Sequence, residues 1–376
     1  MKAAEKLIFI LLPLILLSGC ATAANLDEQV YPLMMAIDKG EEHLFSVSIK
    51  IPAAVQGQGK DKIVSAQGDT ILSALTAIDT ATPQQLSFYR VKYIIFSHEL
   101  AFADGFSRLT QDMVSIPGLK PGADCFIAKD SAKDFLSGTE PFMGERLSKS
   151  TEALESSLKD NSSIPDGDFF SMDRAFESPY KTPLAIYCAK KSEDGKSGSI
   201  PPDNIYAENL NVEGASDSPV LGSVVFNSDK AVKILTGYEN RLLSMCMGTF
   251  TDAMTLFEDE DILYDIHFKR GRLTKVKVKE DGGKIDVHID IRLYAFRQNS
   301  AGDSFLPEDA IAKKLAEDAG TLLKEVYSLG ADPLAISGKL AKNYLTIDKF
   351  ESADIPNNLS KANFYVTVYV QTKADI

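Results

Sequence analysis

The stretch Phe45-Ser46-Val47-Ser48-Ile49-Lys50-Ile51 alternates apolar and polar side chains, the period of two that marks a half-buried strand. Further on, Ile71, Leu72, Leu75 and Ile78 recur at helical spacing, with Asp69 or Thr70 placed to cap the first turn. Lys92-Tyr93-Ile94-Ile95-Phe96 reads as a buried strand. Leu100, Phe106, Leu109 and Met113 then predict a helix, which Gly105 weakens. Strand, helix, strand, helix is a mixed α/β pattern.

The second half of the chain alternates more regularly. Ile285, Val287, Ile289, Ile291 and Leu293 are interleaved with Asp286, His288, Asp290 and Arg292. Val276 and Val278 sit between Lys275, Lys277 and Lys279, and Phe364, Val366, Val368 and Val370 between Tyr365, Thr367, Tyr369 and Gln371. Strands apolar on one face only predict a sheet with one packed and one wet side, which favours antiparallel pairing. Between the second and third strands, Ile311, Leu315, Ala319, Leu322, Leu323 and Val326 form one helical stripe. Laid on the apolar sheet face, that stripe makes a two-layer domain. The Lys275-Lys277-Lys279 row reads as the cross-strand balance of Asp286 and Asp290, with a binding role as the alternative. The predicted fold is α+β and multi-domain, with mixed or antiparallel sheets each packed by helices on one face.

Turn-forming residues mark the boundaries. Residues 190–219 combine charge, Gly, Ser and Pro, including Gly195-Lys196-Ser197-Gly198 and Pro201-Pro202, and read as a linker. They separate an N-terminal α+β region at 20–189, with a candidate subdivision near 137–168, from a C-terminal α+β domain at 220–376. The polar 137–168 stretch holds a helix-compatible piece at Leu147–Leu158.

Composition is that of a folded protein, with 44% hydrophobic and 25% charged residues. The formal net charge of −13 disfavours nucleic acid and direct adsorption to anionic lipid. Residues 1–19 form a different unit. Lys2 and Lys6 precede an apolar run from Leu7 to Leu17, and small residues follow, as in a secretory signal peptide. The run of 11 residues is well short of the roughly 20 that span a bilayer. Leu17-Ser18-Gly19-Cys20 resembles a bacterial lipobox, which implies cleavage before Cys20 and diacylglycerol on its thiol, with fatty-acyl chains such as palmitate as the anchor. Losing Lys2, Glu5 and Lys6 would take the mature charge to −14.

Three cysteines remain: Cys125, Cys188 and Cys246. Cys125 and Cys188 lie in strand-like stretches, so a bridge is conceivable if those strands are neighbours. The preferred reading of an odd count without a CxxC pair is buried free thiols acting as small apolar residues.

Six blocks in order behind the lipobox resemble the C subunits of the spore germinant receptors. They are Leu26-Asp27-Glu28-Gln29-Val30 with Ala36-Ile37-Asp38-Lys39; Gly68-Asp69-Thr70-Ile71 with Ala74 and Leu75; Leu86–Ala101; and Phe126–Leu136. The second half adds Gly222-Ser223-Val224-Val225-Phe226 with Asp229-Lys230-Ala231-Val232 and Glu239-Asn240-Arg241, then Gly330-Ala331-Asp332-Pro333-Leu334. Two departures stand out: Ala21-Thr22-Ala23 follows Cys20 where the family has Trp-Asp, and Arg90 occupies the place of a common His. The resemblance implies α+β domains and a non-enzymatic, lipid-anchored subunit on the extracytoplasmic face of the spore inner membrane. Its implied partners are polytopic A and B subunits, in a complex that responds to small nutrients and triggers germination. It assigns no nutrient-contacting residue.

Candidate chemistry is sparse. His98-Glu99-Leu100-Ala101-Phe102 begins like the zinc-protease HExxH, but Phe102 stands where the second imidazole must be. His43, His98, His267 and His288 share no ligand spacing, and Glu258-Asp259-Glu260-Asp261 lacks the alternation and Gly of a calcium loop. No nucleophile elbow, phosphate loop or dinucleotide fingerprint occurs. The sequence therefore calls for no catalytic residue, metal or cofactor, and Cys20 is the one site residue it assigns. The alternative is a substrate-binding lipoprotein of a transporter, whose lobes would carry parallel strands buried on both faces.

Overall fold

The apolar run Tyr93–Phe96 becomes the centre of an eight-stranded sheet. The computed structural model describes residues 29–53, 61–140, 146–191, 204–210, 212, 214, 216–259, 262–297 and 306–373. In chain order the first part holds β1 (Gln29–Val30), β2 (Met34–Lys39), β3 (Phe45–Ile51), β4 (Lys62–Gly68), α1 (Ile71–Ala81), β5 (Gln85–Leu86) and β6 (Tyr93–Ser97). There follow α2 (His98–Ala101), α3 (Phe106–Val114), β7 (Asp124–Ala128), α4 (Ala132–Gly138), α5 (Leu147–Asp160), α6 (Phe169–Phe176) and β8 (Leu184–Cys188). Beyond the Pro- and Gly-rich segment come β9 (Val220–Phe226), β10 (Ala231–Leu235), α7 (Gly237–Met247), β11 (Asp252–Asp259), β12 (Ile262–Asp281) and β13 (Lys284–Arg297). The chain continues through α8 (Glu308–Ser328), α9 (Ile336–Ala341), α10 (Ile347–Ser352) and α11 (Ile355–Leu359) to β14 (Asn363–Thr372).

The large sheet runs β10-β9-β8-β7-β6-β2-β3-β4. Its centre, β8, β7, β6 and β2, is parallel, and its flanks are antiparallel. Helices cover both faces of it, not one. On one side α1, α3 and α6 pack through Leu75, Met113 and Phe169, with Ile94, Phe96, Cys125 and Ile127 beneath them. On the other, Phe135 and Leu136 of α4 lie over Ile95, Phe126 and Ile186. The continuous apolar run of β6 carries this arrangement, because a strand covered twice cannot alternate. In this half of the chain the central strands are parallel and buried on both faces, as in the transporter-type alternative.

Local signals account for the helix starts. Thr70 accepts from the Ser73 N–H at 3.0 Å and the Ser73 hydroxyl accepts from the Thr70 N–H at 3.1 Å, a reciprocal cap. The helix expected across Leu100–Met113 is two helices. Gly105, at φ 87°, stands between them as the left-handed cap of α3. Helix α4 is bracketed by charge from two neighbouring strands. The Asp38 carboxylate of β2 accepts from the Ala132 and Lys133 N–H groups at 2.7 and 2.9 Å. At the other end the buried Lys50 ammonium of β3 donates to the Leu136 carbonyl at 3.1 Å and to that of Thr139. Anion at the N-terminus and cation at the C-terminus both oppose the helix dipole.

The smaller sheet runs β11-β12-β13-β14. Ile285, Val287, Ile289, Ile291 and Leu293 of β13 are buried against the α8 stripe of Ile311, Leu315, Ala319, Leu322, Leu323 and Val326. The Lys275, Lys277 and Lys279 row stands opposite Asp290, His288 and Asp286 in the β12–β13 register. The expected antiparallel pairing holds for β11–β12–β13, but β14 runs parallel to β13. Alternation reports one wet face and is silent on direction. Here α8 carries the chain back along the sheet before β14 begins, so the two strands point the same way.

Two strands beyond 219 extend the N-terminal sheet, β9 by pairing with β8 and β10 by pairing with β9. Val224 and Phe226 of β9 point into the α1–α3–α6 core while Val225 points into the α8 core. One strand thus belongs to both hydrophobic interiors.

Candidate functional site

Cys20, the one site residue assigned from sequence, lies outside the described residues. The other candidates resolve into structure. Cys125 and Cys188 are on adjacent strands, but Cys125 faces the α1–α3–α6 core and Cys188 the opposite layer. They cannot bridge across the sheet, and both are free thiols held well above their ordinary pKa by burial. His98 stacks on Phe102, one turn on, with ring centroids 4.0 Å apart. Burial lowers its pKa. His288 stacks on Tyr365 at 4.9 Å on the outer face of the small sheet. Among the described residues no group of three or more His, Cys, Asp or Glu could hold a metal ion. Glu260 and Asp261 of the acidic run are not described.

What the structure does bring together is a seam between the two halves, and polar residues of the last two sequence blocks build it from one side. Asp229, in the turn after β9, accepts from the Gly105 N–H at 2.8 Å and the Ser107 hydroxyl at 2.9 Å. Its carbonyl takes the Ser107 N–H at 3.0 Å, and Lys230 beside it pairs with Asp104 at 2.6 Å. The start of α3 is thus capped by a residue more than a hundred positions away.

Asn240 and Arg241 of α7 reach residues 162–163 from the other direction. The Asn240 amide donates to the Ser162 carbonyl at 2.8 Å, and Arg241 donates to the Ser163 hydroxyl at 3.1 Å. Ser162 has φ 55°, and its hydroxyl accepts from the Thr251 N–H at 3.3 Å. Helix α7 starts at Thr236, whose hydroxyl accepts from the Glu239 N–H while the Glu239 carboxylate accepts from the Thr236 N–H.

Asp332 is the third staple. Its carboxylate accepts from the Tyr327 hydroxyl at 2.6 Å and from the N–H groups of Ile336 and Ser337, each at 2.8 Å. Its backbone N–H donates to the Thr182 hydroxyl at 2.7 Å, and its carbonyl accepts from the Thr182 N–H at 3.1 Å. One buried residue closes α8, opens α9 and fastens both to the loop before β8. The Tyr327 phenol is held well above its ordinary pKa, by burial first and then by this carboxylate.

Sequence reasoning placed Asp229, Asn240, Arg241 and Asp332 in blocks without assigning them a role. Polar residues buried in a protein must be partnered, and the partners here are non-local. Arg90, where the resembling family has His, lies 4.8 Å from the ring centre of Tyr31. The contacts of the seam are hydrogen bonds and ion pairs that tie the two halves together. Among the described residues no helix is long and apolar enough to cross a membrane.

Comparison with known proteins agrees in both halves. A family model described as the spore germination protein N-terminal domain matches residues 23–190, and one described as spore germination B3/GerAC like, C-terminal, matches 221–374. Spore germination protein B3 of Bacillus subtilis (strain 168) is 22% identical over 358 residues, covering 90% of this chain and 88% of that protein. The crystal structure of the GerBC protein superposes with a TM-score of 0.55 at 15% identity, covering 90% of this chain and 96% of that one, and so shares the fold. With both family models in order and together spanning most of its length, the chain belongs to the spore germination B3/GerAC-like family.

Proposed function

We propose that this protein is the lipid-anchored, non-catalytic C-type subunit of a nutrient germinant receptor, acting at the spore inner membrane beside polytopic A and B subunits. The observation that carries the reading is one of position. Family similarity begins at residue 23, directly behind Leu17-Ser18-Gly19-Cys20, and runs through both halves. A mature chain starting at Cys20 would therefore be receptor-subunit sequence almost throughout. Anchoring through diacylglycerol suits a chain whose described part has no membrane-crossing helix. At about 0.8 kcal/mol per buried methylene, two acyl chains hold a protein where one does so only marginally. Confinement to the membrane raises the effective concentration toward its partners, so a modest interface stays occupied.

The test is a pull-down of this protein from spore inner membrane, with partners identified by mass. Two polytopic subunits should co-purify, and Cys20→Ala should release the protein from the membrane and impair germination. Recovery alone or with an ABC-type permease would overturn the receptor reading in favour of a transporter's substrate-binding lipoprotein. Unchanged retention of Cys20→Ala would overturn the anchor.

A further inference from the structure

Helix α5 crosses the sheet without filling the space below it. Leu147 is its one buried residue, while Leu154 is 45% exposed and Leu158 half-buried. Between α5, α4 and the sheet lies a cavity of about 720 Å³, walled by Met34, Phe126, Phe135, Leu154, Leu158 and Val220. It meets a second, polar compartment of about 480 Å³, and Tyr93 and Glu155 line both.

The polar compartment is short of positive charge. Asp124 on β7, the register partner of Tyr93 on β6, is 2.9 Å from the Lys159 ammonium. Glu155, one turn before Lys159 on α5, contacts the same ammonium. Two largely buried carboxylates thus share one cation. The compartment's other lysine, Lys92, is engaged with Glu152. Five carboxylates and two lysines line it in all. Burial and the Glu155 carboxylate push Asp124 up to about 7, despite Lys159.

An independent observation points into the same space. Tyr93 is 3% exposed and its hydroxyl has no hydrogen-bond partner of normal geometry, with Thr151 and Glu155 as its polar neighbours. Native proteins keep few unmade hydrogen bonds at buried groups. The Tyr93 side chain lines both compartments, so an occupant at their junction lies beside it.

We propose that this two-part pocket binds a small molecule with an apolar body and one protonated amino group. The body lies in the trough under α5. The ammonium sits at the junction, donating to Asp124 and Glu155 and to the Tyr93 hydroxyl oxygen, which uses the three donors of such a head group. An anionic head would meet the carboxylate excess, and a neutral one would leave the charge unbalanced. The inference stands apart from the germination reading, since binding by the isolated protein succeeds or fails whatever subunits it joins.

The experiment is calorimetric titration of the full chain in lipid nanodiscs, with empty nanodiscs as blank. The probes are 2-phenylethylammonium, 2-phenylethanol and 3-phenylpropionate. Single-site saturation by the ammonium is expected, with the alcohol at least tenfold weaker and the carboxylate silent. Asp124→Asn should weaken the ammonium at least tenfold. Leu154→Trp, at a half-exposed position where the fold tolerates a larger side chain, should block the trough while leaving the thermal midpoint in place. No saturable binding of the ammonium, equal binding of the alcohol, or unchanged affinity in both variants would overturn the proposal.

Discussion

Asp332→Ala removes one carboxylate and strands three donors: the Tyr327 hydroxyl and the N–H groups of Ile336 and Ser337. Each bond to a charged acceptor contributes about 1.5–3 kcal/mol, so the gross loss is roughly 5–9 kcal/mol. Two effects reduce it. The carboxylate no longer has to be desolvated, which returns several kcal/mol, and the vacated rim admits water to one or both amides. A net loss of about 3–5 kcal/mol follows. Asp332→Asn keeps the shape and one acceptor but turns an NH₂ toward a donor, and should cost about 2 kcal/mol. The chain has no Trp, so tyrosine near-ultraviolet dichroism in equilibrium urea unfolding is the natural assay, and it reads Tyr327 among other tyrosines. Thr182→Val, which removes the interdomain acceptor alone, should cost about 1 kcal/mol and separate the seam from the helix caps. If both Asp332 variants unfold within about 1 kcal/mol of the wild type, the reasoning about this staple is wrong.

Three further outcomes are expected. Asp124 has a folded-state pKa raised to about 7, above the unfolded value near 3.8, so its stabilising contribution is complete below that lower value and is lost as pH rises through 7. Relative to Asp124→Asn, the wild type should lose stability between pH 4 and 8; parallel pH profiles would contradict this. Gly222 has φ 100° and its Cβ would lie 2.1 Å from the Leu235 carbonyl oxygen, so Gly222→Ala should cost roughly 3 kcal/mol or more and detach β10, seen as faster amide exchange there. Asp38→Ala uncaps α4 and should cost about 1–2 kcal/mol in urea unfolding, with exchange at Ala132 and Lys133 rising first.

Period was legible wherever an element had one wet face. β3, β13, β14 and the α8 stripe all follow from alternation or helical recurrence, because burial on one side leaves a record at every second or third residue. Direction and partnership leave no such record. The parallel β13–β14 pair and the attachment of β9 to β8 depend on where intervening chain travels, and the residues of β9 look the same whichever sheet they join. Gly105 was visible as a weakness but not as the hinge between two helices, since its cap comes from Asp229, 124 positions on. Asp332 and Asn240 carried a family pattern without a stated purpose for the same reason. The pocket was further from view still: Asp124, Tyr93 and Lys159 come from three separate segments, and none is unusual in its own neighbourhood.

The shared sheet also sets a timetable for synthesis. When Cys188 has emerged, β8 presents an apolar open edge, with Ala185 through Cys188 destined for complete burial. The strand that closes that edge, β9, ends at Phe226, 38 positions later. At about 5–20 residues per second, the edge stands open for roughly 2–8 s in every nascent chain. Through that interval the N-terminal half cannot lock, because the strand that completes its sheet belongs to its successor and has yet to be made.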